Sequence, residues 1–328
     1  MNSEAEIYMV PTPTGLGDYA GPKTVYCKSK SEFNSRSAKN LIDHANDVTK
    51  QGEEFIIGLS HGQSPAGVHE YLLKHYKKFK HPELLRFTFV NSRLRRQRGL
   101  VDVTDAICFI KTLLEEEKIT NDQIFGRALD RDNLEAYGEG LNKELRAYLT
   151  HRNKKGLDHV ILASDPKGQV AGIIRNSTAF KSRKLVVKVE DTEETELTFT
   201  PQFLSKSDRI TYLATKAEKR RPLAWLYYRW AKKNESPSFL RYIDDVEERM
   251  TVFIDGDAMT WPQVELSRKT DYGDTKIRID MAVPYKNEKK DKRPVVLLIH
   301  GFLGLNTFDS LLTFLPSHKY VAAAMHYG

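Results

Sequence analysis

The chain has 328 residues, of which 40% are hydrophobic and 29% are charged, and its formal net charge is +7. This composition is typical of a globular chain of about two domains with a large core, and the positive charge suits small acidic ligands such as phosphates. The chain has only two cysteines, Cys27 and Cys108, and no apolar run as long as a membrane span, which excludes a disulfide framework, a cysteine metal site and a transmembrane protein.

Strand and helix patterns alternate from about residue 23 to residue 245. We predict strands at residues 24–27, 54–59, 85–90, 159–163, 184–189 and 209–214. We predict helices at residues 31–51, 65–76, 103–114, 133–149 and 221–233. An acidic run at residues 190–196 is typical of a solvated surface. The alternation predicts an α/β fold with a doubly wound, mostly parallel sheet and helices on both faces.

The most informative segment is the second predicted strand with the turn and helix that follow it, residues 54–72. Glycines at positions 58, 62 and 67 allow a sharp turn and the close approach of a ligand. Backbone N–H groups at the start of a helix attract anions, and serine hydroxyls can donate to phosphate oxygens. We therefore predict that an anionic group binds at Ser60, Gly62, Gln63 and Ser64.

Two other interpretations of this segment stay open. Residues 58–62 also fit G-x-S-x-G, the nucleophile elbow of serine hydrolases, in the strand–turn–helix context that the motif needs. That elbow normally follows the oxyanion-hole segment along the chain, whereas the candidate for such a segment here begins at residue 300. The third interpretation is an ordinary strand–helix turn without a ligand.

The pattern changes after about residue 236. Residues 250–254 and 276–281 alternate as antiparallel strands, with a turn-rich segment between them. A charged stretch at residues 286–293 leads to residues 295–299, which have the pattern of a buried parallel strand. That strand is followed directly by His300, Gly301 and Phe302.

Four segments, in order along the chain, carry a resemblance to a known family. Residues 58–65 are similar to a sugar-phosphate loop written S-G-G-S-T-P, and residues 87–93 to a strand that ends in D-E-R or D-E-Y. Residues 162–172 lie where the family has G-x-G-x-D-G-H-x-A, and residues 209–219 resemble its late strand and v-x-G-x-x-K turn. Through these segments the chain resembles the glucosamine-6-phosphate deaminases and 6-phosphogluconolactonases. The resemblance implies a Rossmann-like sugar-phosphate isomerase/lactonase fold and a phosphorylated sugar, or a similar small anion, as ligand.

The resemblance also implies which groups handle protons, and three of those positions differ here. The carboxylate that moves a proton beside the carbonyl in the deaminases is replaced by Asn91, which has no titratable group. The aspartate and the histidine of D-G-H are replaced by Lys167 and Gln169, and glutamine cannot exchange a proton near neutral pH. We therefore expect weak or absent family catalysis, assign no catalytic residue and expect ligand binding to remain.

Two cations complete the predicted phosphate site. Arg93 keeps the arginine of D-E-R, whose guanidinium group is a forked donor suited to phosphate. Lys167 adds a second positive charge next to the predicted site. The alternative for each of them is an exposed, solvated side chain.

Residues 246–328 resemble the beginning of an α/β-hydrolase. Residues 250–284 are similar to its opening antiparallel strands, and residues 295–304 to its third strand with the H-G turn, where a backbone N–H helps to hold an oxyanion. Residues 308–315 correspond to the first helix and residues 320–328 to the next strand. The nucleophile, acid and histidine of that fold come later in the chain, so we expect this sequence to be part of a longer protein. The alternative is that residues 295–328 pack onto the first domain or onto a partner. His300, Gly301 and Phe302 are thus predicted to form an oxyanion-hole-like turn, not a catalytic base.

These patterns predict two domains, residues 1–245 and residues 246–328, and they leave three hypotheses for function. The first is a sugar-phosphate-binding domain, a pseudoenzyme, fused to the start of an α/β-hydrolase. The second is a serine hydrolase that acts on an ester or thioester, with the N-terminal domain as a regulatory or docking module. The third is an interaction module without a ligand. No metal, cofactor, specific nucleic acid or membrane is predicted as a partner, a homo-oligomer stays open, and the lack of a signal peptide predicts a cytoplasmic location.

Overall fold

The computed structural model describes residues 22–95, 105–126, 133–166, 168–173, 177–190, 194–219, 246–255, 263–270, 273–282, 295–299 and 321–327, with residues 222, 223, 226 and 258. In these ranges the strands are β1 (Lys23–Cys27), β2 (Phe55–Leu59), β3 (Leu85–Phe89), β4 (Asn91–Arg95), β5 (His159–Ala163), β6 (Val186–Glu190), β7 (Glu194–Phe199), β8 (Arg209–Ala214), β9 (Met250–Asp255), β10 (Gln263–Thr270), β11 (Gly273–Ala282), β12 (Val295–Ile299) and β13 (Val321–Tyr327). The helices are α1 (Lys30–Thr49), α2 (Gln63–Lys74), α3 (Asp105–Glu115), α4 (Leu134–His151), α5 (Thr178–Lys181), α6 (Pro201–Leu204) and α7 (Val246–Arg249).

The main sheet has six strands in the order β1-β9-β8-β5-β2-β3, and every neighbouring pair in it is parallel. Successive residues of β2 point to opposite faces of this sheet, as strand geometry requires. Phe55 and Ile57 belong to an apolar cluster with residues of α1, α2 and α3, whereas Ile56 belongs to a second cluster with residues of α4. The sheet is therefore covered by helices on both faces, which confirms the predicted α/β fold.

Helix α1 shows how local sequence sets these elements. Ser29 caps its first turn, because the serine hydroxyl accepts a hydrogen bond from the Glu32 N–H at 3.1 Å. Apolar residues at helical spacing along α1 are all buried: Phe33, Ala38, Leu41, Ile42 and Ala45. The predicted helix at residues 31–51 is thus confirmed, with bounds one or two residues earlier.

Two predicted strands have a different place in the structure. Residues 250–254, predicted as an antiparallel strand of the second unit, form β9, which is parallel to both β1 and β8 in the main sheet. That prediction was wrong because alternation along a strand does not reveal its partners. Residues 184–189, predicted within the parallel sheet, correspond to β6, which pairs antiparallel with β7 in a separate sheet of order β4-β7-β6.

The last four strands form a sheet of their own, in the order β10-β11-β13-β12. Strand β11 is antiparallel to both β10 and β13, and β12 is parallel to β13. The strands predicted at residues 295–299 and 320–328 are confirmed as β12 and β13. The helix predicted at residues 308–315, most of the one predicted at residues 221–233, and the turn of His300, Gly301 and Phe302 lie outside the described residues.

Across the described ranges no helix is both long and apolar enough to cross a membrane. Nor do three or more histidine, cysteine, aspartate or glutamate side chains cluster as metal ligands in that part of the chain.

Candidate functional site

A polar cavity of about 260 Å³ lies at one edge of the main sheet. Strands β8, β5 and β2 are parallel neighbours, so the segments that follow them meet at the same edge. Such an edge is where ligands bind in open α/β sheets. Residues 60–65 after β2, residues 163–172 at the end of β5, and residues 218 and 219 after β8 line the cavity together with Asn91, the first residue of β4.

The turn from β2 into α2 presents backbone N–H groups to this cavity. Gly62 has a φ of +129°, a conformation that favours glycine, and it allows the chain to turn into the helix. The first helical hydrogen bond runs from the Ala66 N–H to the Gly62 carbonyl at 3.1 Å. The N–H groups of Gln63 and Ser64 precede this bond, so they remain available to an anion at the positive end of α2.

Ser60 brings a buried hydroxyl to the same place. Its side chain is only 3% exposed, and its Oγ has no hydrogen-bond partner among the described residues. A buried hydroxyl without a partner costs about 1–3 kcal/mol, so a ligand oxygen in the cavity would satisfy it. Among the described residues, no basic side chain is hydrogen-bonded to the Ser60 hydroxyl. An activated nucleophile needs such a base within hydrogen-bond reach. The nucleophile-elbow interpretation therefore gains no support from this geometry.

The side chains of Gln63 and Ser64 brace the turn. The Ser64 hydroxyl pairs with the Thr215 hydroxyl at 2.7 Å, and Gln63 Oε1 accepts a hydrogen bond from the ammonium group of Lys216. Lys216 itself has a φ of +70°, and its N–H donates to the Asp255 carboxylate at 3.1 Å. These two predicted binding residues thus offer their backbone N–H groups to the cavity, while their side chains tie α2 to the end of β8.

Lys219 is the buried cation of the cavity, and the sequence analysis did not select it. It is 9% exposed and donates from Nζ to the Ser164 carbonyl. Burial lowers the pKa of its ammonium group. Ser164 is held in turn by the Tyr212 hydroxyl, which donates to its Oγ at 2.6 Å. The signal was present in the sequence, since Lys219 is the lysine of the v-x-G-x-x-K turn.

Two carboxylates also line the cavity, at Asp165 and Glu218. The Asp165 carboxylate accepts the Gln169 N–H at 2.8 Å, which closes the turn after β5, and Glu218 is exposed. These two carboxylates therefore lie at the border of the cavity. The backbone N–H groups at the start of α2, the Ser60 hydroxyl and the Lys219 ammonium group form the side of the cavity that can bind an anion.

A chain of three polar side chains forms one wall. Nε2 of His61 lies 2.7 Å from Nδ2 of Asn91, and that same Nδ2 lies 3.4 Å from Oε2 of Glu196 on β7. Asn91 and Glu196 are each 7% exposed, and His61 is partly exposed. Glu196 belongs to the acidic run that we predicted to be solvated, so its burial corrects that prediction. It is buried because β7 pairs with β4, next to the cavity.

Most of the predicted site residues meet at this cavity. Its lining includes Ser60, Gly62, Gln63, Ser64, Asn91 and Gln169. Arg93 lies on β4 opposite Glu196 of β7. The other predicted site residues are outside the described residues: Lys167, His300, Gly301 and Phe302. That the assembled residues bind phosphate remains a prediction.

A doubly wound parallel sheet with a cavity at the carboxyl ends of its strands is the arrangement in which open α/β sheets bind small ligands. Residues 28–244 match the family model described as glucosamine-6-phosphate isomerases/6-phosphogluconolactonase. The chain therefore belongs to this family. None of the curated proteins compared with the chain matches it.

Solved structures of the same fold agree with this assignment. The 6-phosphogluconolactonase from Trypanosoma cruzi is 17% identical, with a TM-score of 0.59, over 72% of this chain and 95% of that one. The 6-phosphogluconolactonase from Trypanosoma brucei is 16% identical, with a TM-score of 0.57, over 72% and 97%. A monomeric glucosamine-6-phosphate deaminase is also 16% identical, with a TM-score of 0.56, over 72% and 98%. At such low identity these likenesses establish the fold.

Proposed function

We propose that the cavity at the start of α2 binds a phosphorylated sugar, or a similar small anion, and that the family's own proton-transfer route is weak or lost. The observation that carries the proposal is the Ser60 hydroxyl beside the first amides of α2, which is 3% exposed and has no hydrogen-bond partner among the described residues. Membership of a family named for sugar-phosphate enzymes supports it. Asn91 and Gln169 line the cavity but cannot act as acids or bases, which supports the second part.

Ser60→Ala tests the binding site. Hydrogen bonds to charged groups contribute about 1.5–3 kcal/mol, so the variant should bind glucosamine 6-phosphate and 6-phosphogluconate about 10- to 100-fold more weakly. Its thermal stability without ligand should not fall, because the hydroxyl has no hydrogen bond to lose within the part of the chain that the structure describes. Titration calorimetry and thermal shift measure both quantities, since a ligand of the folded state raises the melting temperature.

Ser207→Ala is the matched control. Ser207 is fully buried and its hydroxyl also has no partner among the described residues, but it does not line the cavity. Its loss should leave ligand affinity unchanged. Absence of saturable binding by the unaltered chain, or equal affinity of Ser60→Ala, would refute the proposal and favour an interaction module without a ligand.

We further propose that the chain after β9 is the beginning of an α/β-hydrolase. The strand order β10-β11-β13-β12 supports this, because two antiparallel strands lead to a parallel pair in which the later strand is internal. The serine hydrolase hypothesis, with His300, Gly301 and Phe302 as an oxyanion turn, depends on this part. The sequence encoded beyond residue 328 tests it: a G-x-S-x-G segment, an acid and a histidine must follow in that order.

A further inference from the structure

We infer that a second cavity, next to the one described above, binds a small phosphate ester with several hydroxyl groups, and that Lys28, Lys30 and Lys216 hold its phosphate. This cavity has a volume of about 480 Å³. It is lined by residues that follow β1 and β8, by the last residue of β9 and by the starts of α1 and α2. The inference goes beyond the proposed function, which concerns the first cavity only.

The two cavities lie side by side along the carboxyl edge of the main sheet. Strands β1, β9 and β8 are parallel neighbours, so Lys28, Asp255 and Lys216 meet at their carboxyl ends. The segments that follow β8, β5 and β2 line the first cavity. Gln63 and Ser64 line both cavities, so the start of α2 lies between them.

The charge of the second cavity suits a dianion. Three ammonium groups and a single carboxylate, that of Asp255, line it, which leaves an excess of two positive charges. None of the ion pairs among the described residues includes Lys28, Lys30 or Lys216. A phosphate monoester carries nearly two negative charges at neutral pH, and lysine ammonium groups bind phosphate as point charges.

Lys216 distinguishes this cavity from the family pattern. It stands at the glycine of v-x-G-x-x-K, three residues before Lys219. Its φ of +70° lies in the left-handed region, which disfavours lysine. The two oxygens of the Asp255 carboxylate stabilise this conformation, because they accept the Lys216 N–H at 3.1 and 3.3 Å. A strained residue at a cavity indicates a functional constraint, and here the residue adds an ammonium group where the pattern has no side chain.

The size and polarity of the second cavity indicate a ligand larger than phosphate itself. A volume of about 480 Å³ is in the range of pockets that bind small organic molecules. Its described lining offers the hydroxyl of Ser29 and the amides of Asn34 and Gln63, and it contains no aromatic ring. Such groups suit the hydroxyls of a sugar or polyol, whereas a nucleotide base favours an aromatic surface on which to stack.

Gly67 fixes one wall of the second cavity. A Cβ at this position of α2 would lie 2.5 Å from Nδ2 of Asn34 on α1. The glycine therefore lets the Asn34 amide lie directly against α2, where it faces the cavity. This close approach gives a role to a glycine that the first cavity does not use.

Amide ¹H–¹⁵N shifts of the full chain separate the two cavities in a titration with glucose 6-phosphate. Ser29 lines only the second cavity and Gln169 lines only the first, so each reports its own dissociation constant. Lys30→Gln and Lys216→Gly should each raise the constant at Ser29 about 10-fold, because each removes a hydrogen bond to a charged group. Lys30→Gln should leave the constant at Gln169 unchanged. Inorganic phosphate should bind more weakly at Ser29 than glucose 6-phosphate does, because it lacks the hydroxyls.

Lys39→Gln is the matched control. Lys39 is also an exposed lysine of α1, but it lies about 14 Å along the helix from Lys30 and pairs with Asp43 at 4.0 Å. Its replacement removes one positive charge and should alter neither dissociation constant.

Two results would overturn the inference and leave the proposed function intact: no saturable shift at Ser29, or an equal loss of affinity there in Lys39→Gln. Binding of inorganic phosphate at Ser29 as tight as that of glucose 6-phosphate would overturn the assignment of the ligand as an ester. Saturation at Ser29 with the expected losses, but none at Gln169, would support the inference and contradict the proposed function.

Discussion

Gly172 illustrates how single residues shape the cavity wall. Its φ is +68°, and the Cβ of any other residue there would collide with the buried carboxylate of Glu196. Glycine therefore does two things at this position: it permits the left-handed backbone and leaves room for a side chain from β7. A close contact of this kind cannot be deduced from sequence, because residue 172 lies in a turn after β5 and residue 196 lies on β7.

Replacing Gly172 by alanine should destabilise the protein. The left-handed backbone costs alanine about 1–2 kcal/mol, and displacement of Glu196 from its polar contacts should add about 1–3 kcal/mol. Gly52→Ala is the matched variant, since Gly52 has a φ of +76° and nothing lies within 4 Å of its added Cβ. Denaturant unfolding should therefore show the larger loss for Gly172→Ala. Equal losses would mean that Glu196 moves aside without cost.

Sequence reasoning located Ser60 and Ser64 because glycines and hydroxyls at the start of a helix have a chemical meaning of their own. It missed Glu196, because an acidic run normally indicates solvent, and only the pairing of β7 with β4 buries it. It also assigned the Ser64 side chain to the ligand, although that hydroxyl is bonded to Thr215. Side-chain partners across elements depend on tertiary packing, which a single sequence does not contain.

At the scale of the secondary-structure elements, helix α1 packs on strand β5 through two histidines. Nδ1 of His44 lies 3.1 Å from Nδ1 of His159, whose Nε2 lies 2.8 Å from the Thr211 hydroxyl. Burial, together with Arg209 and Lys154, lowers the pKa of His44 to about 4. Burial, then His44 and Arg209, lowers the pKa of His159 well below its usual range.

These two histidines should make stability depend on pH. In the unfolded chain both take up protons below about pH 6.5, while in the folded protein they stay neutral. The unfolded state then binds more protons, so the free energy of unfolding should fall by about 1.4 kcal/mol per pH unit for each histidine as pH drops below 6.5. The pKa of His44 in the folded protein is about 4, so this residue lowers the free energy of unfolding no further once the pH falls below that value.

Denaturant unfolding between pH 7 and pH 5 measures this slope. His44→Gln removes one of the two titrating groups and should reduce the slope by about half, whatever its effect on absolute stability. The exposed His81 provides the control, because its replacement by glutamine should not alter the slope. An unchanged slope in His44→Gln would show that the buried pair does not govern acid sensitivity.

At the scale of the whole molecule, the regular elements of the first sheet were predictable and the extent of the sheet was not. The pattern of apolar residues along the chain predicts strands such as β2 and β5 and the amphipathic helix α1. Strands β4 and β7 are polar and gave no such signal. Strand β9 was recognised as a strand but assigned to the wrong sheet, because its partners β1 and β8 lie far away in sequence.

The position of β9 predicts where the first unit can be cut. In the order β1-β9-β8, strand β9 is the neighbour that connects β1 to the rest of the sheet. It also buries four apolar side chains, at most 3% exposed: Met250, Val252, Phe253 and Ile254. At about 1.5–3 kcal/mol for each, their burial contributes about 6–12 kcal/mol, which is comparable with the whole stability of a domain.

A fragment of residues 1–245 should therefore fail to fold cooperatively, although the family match ends at residue 244. A fragment of residues 1–262 retains β9 and should unfold in one cooperative transition, measured by circular dichroism in urea. The two fragments differ by 17 residues, of which β9 supplies the sheet pairing and the apolar contacts. If the shorter fragment matched the longer one in midpoint and slope, β1 would have to be held by something other than β9, and the six-stranded order would be wrong.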